Sequence, residues 1–319
     1  MLTGHDWQRP AVLVAHSRMA PWLVPRIEAE MPVLLSDTVT DLDAETLAGV
    51  DVLVGYQFPP GVLAELPALR WLHLTGTGTD HLAAAGLRPG VLVTNSARVP
   101  VESVAEYAVA GLFMLLKDFP ELAHGPPWYS SRAVLLHGSV VLVLGAGRIG
   151  RAVVRLLTAL GARCVAVTRT GEVAVPGADR TIGVDQLVDA AASADHMVCC
   201  LPGTDETANL VDKAVLGALP SHAALVNVGR ASTVDDEALH EALRAKQIRG
   251  AFLDVHRSEP VPPDDPVWTV PNLVVSPHRA FAFPGEPAEV ARTFLENLAD
   301  LRDGLPPRDA VTVATEEDS

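Results

Sequence analysis

The sequence predicts an α/β protein with two domains, each built on a doubly wound parallel β-sheet. The first observation is size: 319 residues exceed one ordinary hydrophobic core, and 49% hydrophobic with 20% charged residues is typical of a globular chain. The second is that short apolar runs alternate with helical stretches along most of the chain, which is typical of parallel α/β folds. The third is a glycine-rich turn between an apolar run and a helical stretch near the middle.

The first third of the chain predicts the strands of one domain. Between the last two strands, the glycine-rich stretch Thr75–Thr79 predicts a loop that leads into a helix near Asp80. We expect this domain to comprise residues 1–100, completed by residues 283–319. Its strands are predicted at Ala11–Ala15, Asp51–Gly55, Trp71–Leu74 and Val91–Thr94.

The second domain is expected over residues 101–282. It opens with a long amphipathic helix, predicted over Val101–Lys117 from its stripe of apolar residues. A last helix, from beyond Pro287 to about Leu301, follows this domain. Six apolar runs predict a complete doubly wound sheet: Val140–Leu144, Cys164–Thr168, His196–Leu201, Ala224–Val228, Gly250–Leu253 and Leu273–Ser276.

Composition and charge exclude several classes of protein. A formal net charge of -15 argues against a nucleic-acid partner, because phosphate binding needs clustered Lys and Arg. Three cysteines, two of them adjacent, predict no disulfide framework and no metal site, and favour a cytoplasmic location. The amino terminus has no signal-peptide pattern, and no apolar run reaches the ~20 residues of a membrane-spanning helix, so we expect no membrane partner.

The glycine-rich turn matches the G-x-G-x-x-G fingerprint of dinucleotide binding. It consists of Gly145, Ala146, Gly147, Arg148, Ile149 and Gly150. The first glycine allows the tight turn, the second lets the backbone approach the pyrophosphate, and the third lets helix and strand pack closely. Because the free amides and the dipole of the helix attract an anion, the pyrophosphate is expected at the helix amino terminus.

The end of the next strand predicts which dinucleotide binds. An NAD enzyme usually has an acid about 20 residues on, which holds the ribose 2′-hydroxyl. Here Thr168, Arg169 and Thr170 occupy the segment, and it contains no carboxylate. Because Arg169 could bind a 2′-phosphate and the two threonines could donate hydrogen bonds, we expect NADP to be preferred over NAD. The alternative is an arginine that is merely exposed on a loop.

Three further motifs follow predicted strands, where ligands of open α/β sheets gather. They are Asn227–Arg230, Leu253–Pro260 and Ser276–His278. Together with Thr75–Asp80, Ser103–Glu106 and Leu201–Thr204 with Thr207, they make the chain resemble the D-2-hydroxyacid dehydrogenases over nearly its whole length. This family includes glyoxylate/hydroxypyruvate reductases, phosphoglycerate dehydrogenases and D-lactate dehydrogenases.

The resemblance implies a catalytic trio of Arg230, Glu259 and His278. Arg230 would bind the substrate carboxylate and polarise its carbonyl with one planar fork. His278 would give a proton to the developing alkoxide, and Glu259 would orient the imidazole and favour its charged form. Taken singly, they could be a surface arginine, a loop carboxylate and a capped core histidine. Their joint occurrence behind a dinucleotide loop argues against coincidence.

The resemblance also implies a fold and further binding residues. A Rossmann cofactor domain would be inserted in a flavodoxin-like substrate domain. The amides of Thr77 and Gly78 would hold the substrate carboxylate as an anion nest. Asp254 would meet the nicotinamide carboxamide. Leu201, Pro202, Thr204 and Val228 are expected beside the dinucleotide, and Tyr56 beside the substrate.

Some positions depart from the family's pattern and leave substrate identity open. Ala231 stands where the family often has glycine after the catalytic arginine. Arg279 follows the histidine, where a small or apolar residue is usual, and could either add a cation for a doubly anionic substrate or point to solvent. Trp128, in a proline-rich arm, could lie near a dimer partner's substrate or anchor an interface.

The sequence as a whole predicts an NAD(P)-dependent oxidoreductase acting on a small 2-oxo or 2-hydroxy acid, with glyoxylate or hydroxypyruvate as the expected substrate. Two alternatives stay open at this point. One is a dehydrogenase of an unusual anion, as in the related formate and phosphite enzymes. The other is a dinucleotide-sensing binding protein, because transcriptional corepressors use the same scaffold. By resemblance, the chain is expected to form a homodimer through the helix of residues 101–117.

Overall fold

The computed structural model describes residues 7–8, 10–16, 18–124 and 132–313. It divides into two compact units, one of Met1–Pro100 with Phe283–Ser319 and one of Val101–Ala282. Trp128 lies outside the described residues. No helix in the described ranges combines the length and the apolar character that a membrane span requires.

Each unit contains one parallel sheet flanked by helices. The strands of the first unit are β1 Val12–Ala15, β2 Val33–Ser36, β3 Val52–Gly55, β4 Trp71–Leu74 and β5 Leu92–Asn95. Those of the second are β6 Val140–Leu144, β7 Arg163–Thr168, β8 Arg180–Gly183, β9 His196–Cys199, β10 Ala224–Asn227, β11 Gly250–Leu253 and β12 Leu273–Val275. The helices are α1 Ala20–Glu28, α2 Ala44–Ala48, α3 Val101–Leu116, α4 Phe119–His124, α5 Arg148–Ala159, α6 Leu187–Ala191, α7 Lys213–Ala218, α8 Asp236–Arg244 and α9 Glu286–Arg302.

The strand orders identify both sheets as doubly wound. The first sheet runs β2-β1-β3-β4-β5, the order of flavodoxin-like folds. The second runs β12-β11-β10-β9-β6-β7-β8, the Rossmann order with one further strand. All of the strand pairs are parallel, so the carboxyl ends of each sheet meet at one edge. The predicted fold class is confirmed.

Aromatic stacking fixes one face of the first unit. The rings of Trp71 on β4 and Phe294 on α9 stack at 4.8 Å, and Trp7 meets Trp71 edge-on at 5.9 Å. All three side chains are fully buried. The stack packs the carboxy-terminal helix α9 against the amino-terminal sheet. Burying an aromatic side chain stabilises a fold by about 1.5–3 kcal/mol.

Both faces of the second sheet are covered, which explains why its strands read as continuous apolar runs. α3 and α5 pack together on one face and join a core that includes Val143, Val226 and Phe252. α7 lies between α6 and α8 on the other face, over a core that includes Leu142 and Leu225. The alternation of Leu142 and Val143 between the two cores follows the two-residue period of a strand.

The structure corrects three details of the sequence analysis. The second sheet has seven strands in the described ranges, not six, because β8 was not predicted, and β2 was missed in the first sheet. Both are edge strands, and β8 carries only one buried apolar side chain, Ile182. Beyond Asp80 the chain forms successive turns that end at Gly86, whose φ is 80°, instead of the predicted helix. The other predicted strands and helices match the structure or differ from it by at most two residues at an end.

Candidate active site

The glycine loop joins β6 to α5 and matches the needs of a dinucleotide. Gly145 has a φ of 95°, and a Cβ at Gly150 would lie 1.8 Å from the Gly145 carbonyl oxygen. In the described part of the chain, a Cβ at Gly147 would meet no atom within 4 Å, and this residue gives α5 no side-chain cap. Arg148 and Ile149 form the first turn of α5. The loop therefore leaves the first amides of α5 and the space before them open to a pyrophosphate.

The residues that end β7 carry an arginine and two hydroxyl groups. The oxygens of Thr168 and Thr170 accept bonds from backbone N–H groups of the following turn at 2.9 and 3.4 Å, so their O–H protons can be donated elsewhere. The guanidinium of Arg169 lies 3.8 Å from the carboxylate of Glu206, and both side chains are more than 70% exposed. Sequence reasoning missed Glu206, because it lies in a different loop.

The loop after β9 lies against the glycine loop at the switch point between β6 and β9. The carbonyl oxygen of Cys200 is 3.0 Å from the position that a Cβ on the first glycine would take, and a methyl of Leu201 is 3.2 Å from it. Thr204 and Thr207 form a capping box, and the Thr207 hydroxyl donates to the Pro202 carbonyl at 2.6 Å. These bonds hold the loop that is expected beside the dinucleotide.

Arg230 follows β10 on a turn that buried polar groups hold. Asn227, at the end of the strand, is 1% exposed; its amide nitrogen donates to the Arg230 carbonyl at 3.0 Å, and its amide oxygen accepts from the Gly229 N–H at 3.0 Å. The Thr233 hydroxyl also donates to the Arg230 carbonyl, at 2.7 Å. Val228 is buried. The turn therefore fixes the backbone from which the guanidinium extends.

Glu259 and His278 form a hydrogen-bonded pair from the loops that follow β11 and β12. His278 Nδ1 and Glu259 Oε2 are 2.7 Å apart, and each side chain is about one third exposed (36% and 35%). Because a carboxylate only accepts, Nδ1 carries the proton and Nε2 is the ring nitrogen available for a substrate. Glu259 Oε1 accepts from the His256 N–H at 2.8 Å, which fixes the carboxylate in turn.

Asp254 holds the turn that carries His278. His278 has a φ of 49°, in the left-handed region that costs a residue other than glycine about 1–3 kcal/mol. Asp254, 1% exposed, accepts from the Ser276 hydroxyl at 2.6 Å and from the N–H groups of Arg279 and Ala280 at 2.9 Å each. Asp254, which is expected to bind the nicotinamide, thus binds residues on both sides of His278. No motif in the sequence predicts this second role of Asp254.

The first unit brings its own predicted residues together after β3 and β4. The Gly78 N–H donates to the Tyr56 hydroxyl at 3.3 Å, and the Asn95 side chain donates to the Thr77 carbonyl at 2.9 Å. A Cβ at Gly76 would lie 2.5 Å from the Tyr56 ring, so glycine is required for this contact. In this arrangement the Gly78 amide, expected at a substrate carboxylate, is directed at the tyrosine.

The remaining reactive side chains of the described residues form no metal site. Within the described ranges, no group of three or more His, Cys, Asp or Glu side chains could hold a metal ion. The three cysteines are free, and burial raises the pKa of the Cys200 thiol to about 12. Arg279 is exposed, and the Phe281 ring lies edge-on to His278 at 6.1 Å.

Known proteins are similar to this chain in both sequence and fold. Residues 121–280 match the family model for the NAD-binding domain of D-isomer specific 2-hydroxyacid dehydrogenases. The chain is 31% identical to a glyoxylate reductase of Aeropyrum pernix over 265 residues, which cover 78% of each protein. It is 32% identical to the D-3-phosphoglycerate dehydrogenase of Mycobacterium leprae over 257 residues, which cover 78% of this chain but 45% of the relative.

Solved structures agree along almost the full length. A D-isomer specific 2-hydroxyacid dehydrogenase family protein of Aeromonas salmonicida has a TM-score of 0.83 at 28% identity, covering 96% of this chain and 99% of that one. An NADPH-dependent glyoxylate/hydroxypyruvate reductase of Sinorhizobium meliloti, in complex with NADP and malonate, has a TM-score of 0.79 at 29% identity, covering 95% and 97%. The chain therefore belongs to the D-isomer specific 2-hydroxyacid dehydrogenase family and is an NAD(P)-dependent dehydrogenase.

Proposed function

We propose that this enzyme reduces a small 2-oxo acid, glyoxylate or hydroxypyruvate, with NADPH as the hydride donor. The observation that carries the proposal is the 2.7 Å hydrogen bond between Glu259 and His278. Glu259, His278 and Arg230 follow β11, β12 and β10, which are neighbouring parallel strands, so they share one sheet edge. The glyoxylate and hydroxypyruvate reductases among the similar proteins support this substrate class.

Arg230 is the proposed ligand of the substrate's carboxylate and carbonyl oxygens. A guanidinium presents parallel N–H donors in a plane, which matches the planar 2-oxo acid group and withdraws electron density from its carbonyl carbon. Asn227 and Thr233 fix the Arg230 backbone from which the guanidinium extends, and one of the guanidinium N–H groups donates to the Gly229 carbonyl at 3.0 Å.

His278 is the proposed proton donor. A reduced nicotinamide, when bound, would supply a hydride to the carbonyl carbon of the substrate, so that negative charge would develop on the carbonyl oxygen. The imidazolium gives that oxygen its Nε2 proton, while Nδ1 stays bonded to Glu259. The carboxylate stabilises the cation before the transfer and orients the ring during it.

The preference for NADPH is proposed from Arg169, with Thr168 and Thr170 as hydroxyl donors. The end of β7 has no acid that would repel a 2′-phosphate. Glu206, 3.8 Å from Arg169, opposes this preference in part, so we expect NADH to be used as well but less efficiently.

We further propose that two copies assemble through α3 and the segment that follows it, and that the enzyme acts in the cytoplasm. Phe119 and Leu122 on α4 are 56% and 48% exposed, which suits an interface. The free cysteines fit a reducing compartment. Size-exclusion chromatography with light scattering tests the dimer: Phe119→Asp should convert it to monomer, and a wild-type monomer would contradict it.

Absorbance at 340 nm tests the catalytic proposal directly. NADPH and NADH are each supplied with a panel of 2-oxo acids that includes glyoxylate, hydroxypyruvate, pyruvate and 3-phosphohydroxypyruvate. We expect the highest kcat/KM with NADPH and one of the first two. Tight dinucleotide binding without turnover of any 2-oxo acid would refute the proposal.

A further inference from the structure

The turn that carries His278 needs support from outside itself. Its histidine is held at a φ of 49°, a conformation that L residues rarely adopt. Within the turn, the His278 N–H donates to the Ser276 carbonyl at 3.0 Å. Asp254 binds the turn on both sides of the histidine, through Ser276 and through the N–H groups of residues 279 and 280.

Two hydroxyl groups of α3 bind the same turn at its two ends. The Ser103 hydroxyl donates to the Ala280 carbonyl at 2.7 Å. The Tyr107 hydroxyl lies 2.7 Å from the Ser276 hydroxyl oxygen. Because the Ser276 hydroxyl donates its proton to the Asp254 carboxylate, Tyr107 is the donor in this pair. The chain of donors therefore runs from helix to serine to buried carboxylate.

The spacing of the two helical residues explains how one helix reaches both ends. Residues four apart lie on one face of an α-helix, about one turn from each other. Tyr107 is further fixed by its ring, which meets Phe252 on β11 edge-on at 5.6 Å. Gly111, one turn beyond Tyr107, brings α3 close to the same strand, because a Cβ there would lie 2.7 Å from the Phe252 ring.

We propose that Ser103 and Tyr107 are positioning residues for His278. They clamp the two ends of residues 276–280 and, with Asp254, hold the imidazole where Glu259 and the substrate meet it. This inference rests on the proposed role of His278 as proton donor. It gives a task to the Ser103–Glu106 motif, which the binding and catalytic assignments leave unexplained.

Two substitutions remove the hydroxyls while leaving the surrounding packing in place. Tyr107→Phe keeps the ring on Phe252, and Ser103→Ala shortens a half-buried side chain. Each should lower kcat about 10-fold, because a misplacement of 1 Å near the reacting atoms costs ~100-fold and the remaining anchors limit the movement. The Kd for NADPH and the KM for the 2-oxo acid should stay within two-fold. Because either change frees the same turn, the double variant should lose less than the product of the two effects.

Ser139→Ala is the matched control. Its hydroxyl also makes one bond to a backbone carbonyl, that of Leu135, at 2.8 Å. It precedes β6 and so lies where the parallel strands begin, whereas His278 follows β12, where they end. We expect its kcat within two-fold of wild type, and thermal unfolding establishes that all variants are folded.

A second readout separates this inference from the proposed function. The imidazole resonances of 13C-labelled histidine are recorded without substrate, and His278 is assigned from their loss in His278→Asn. Tyr107→Phe and Ser103→Ala should each shift the His278 resonance, and Ser139→Ala should not. If wild type turns over no 2-oxo acid, the proposed function fails, while such a shift still supports the positioning. An unmoved resonance, or a kcat within two-fold of wild type in both variants, would overturn it.

Discussion

Replacing Glu259 with glutamine tests whether the carboxylate acts through its charge. In the structure Oε2 accepts from His278 Nδ1 at 2.7 Å and Oε1 accepts from the His256 N–H at 2.8 Å. Glutamine has nearly the same shape, but its amide offers one oxygen and one NH2 group. One of the two N–H donors must therefore face another donor, and the negative charge beside the imidazolium is lost.

The size of the effect follows from the geometry. A hydrogen bond between charged groups contributes about 1.5–3 kcal/mol. Because each side chain of the pair is about one third exposed, water screens the interaction, and we take about 1–2 kcal/mol for Glu259. At 1.36 kcal/mol for each factor of ten, Glu259→Gln should lower kcat roughly 5- to 30-fold.

The assay is NADPH oxidation at 340 nm with saturating 2-oxo acid, with NADPH affinity measured separately by fluorescence. Glu241→Gln is the matched control, because Glu241 makes an ion pair of 2.8 Å with Lys213 on the surface of the same unit. Its kcat should stay within two-fold of wild type. In a His278→Asn background, Glu259→Gln should have almost no further effect. Equal kcat values for Glu259→Gln and wild type, or independent effects of the two substitutions, would refute the reasoning.

Three further predictions concern the dinucleotide loop, cofactor choice and acid stability. Gly147→Ala should keep the Tm but weaken NADPH binding about 10-fold, as measured by isothermal titration calorimetry. Gly150→Ala should lower the Tm, because its Cβ would overlap the loop backbone. The same outcome for both variants would contradict the assigned glycine roles. Arg169→Ala should lower the NADPH/NADH ratio of kcat/KM about 10-fold, and Glu206→Gln should raise it a few-fold; unchanged ratios would argue against this site. Burial and a nearby positive charge lower the pKa of His73 to about 3. The unfolded chain therefore takes up the proton first, and stability falls as the pH drops below about 6.5. In urea titrations between pH 6 and 4, the free energy of unfolding of His73→Asn should fall less steeply with decreasing pH than that of wild type, by up to about 1.4 kcal/mol per pH unit. The same slope in both proteins would count against this role of His73.

The sequence predicts the fold well where strands are buried on both faces. β6 and β10 read as unbroken apolar runs because helices cover each side of the sheet. The edge strand β8 escaped prediction because it is largely polar. β2 was missed although three of its four residues, Val33, Leu34 and Leu35, are apolar.

The site could be predicted as far as local motifs reach. Arg230, Glu259 and His278, the proposed catalytic trio, stand in short segments whose order and residue types are the basis of the prediction. Groups that contact the site residues or the turns that carry them come from distant parts of the chain. Tyr107 lies 169 residues from the Ser276 that it binds, and Glu206 belongs to a different loop from Arg169. A single sequence has no pattern that predicts such contacts, because they depend on how the strands are ordered in the sheet.

Single-turnover kinetics of a His278→Asn variant test the central claim most directly. When the enzyme–NADPH complex is mixed rapidly with saturating glyoxylate or hydroxypyruvate, loss of the proton donor should slow NADPH oxidation by about 100- to 10,000-fold. The Kd for NADPH should stay within two-fold, since His278 is not assigned to the dinucleotide. A rate within ten-fold of wild type, with intact NADPH binding, would contradict the assignment of His278 as the group that protonates the product.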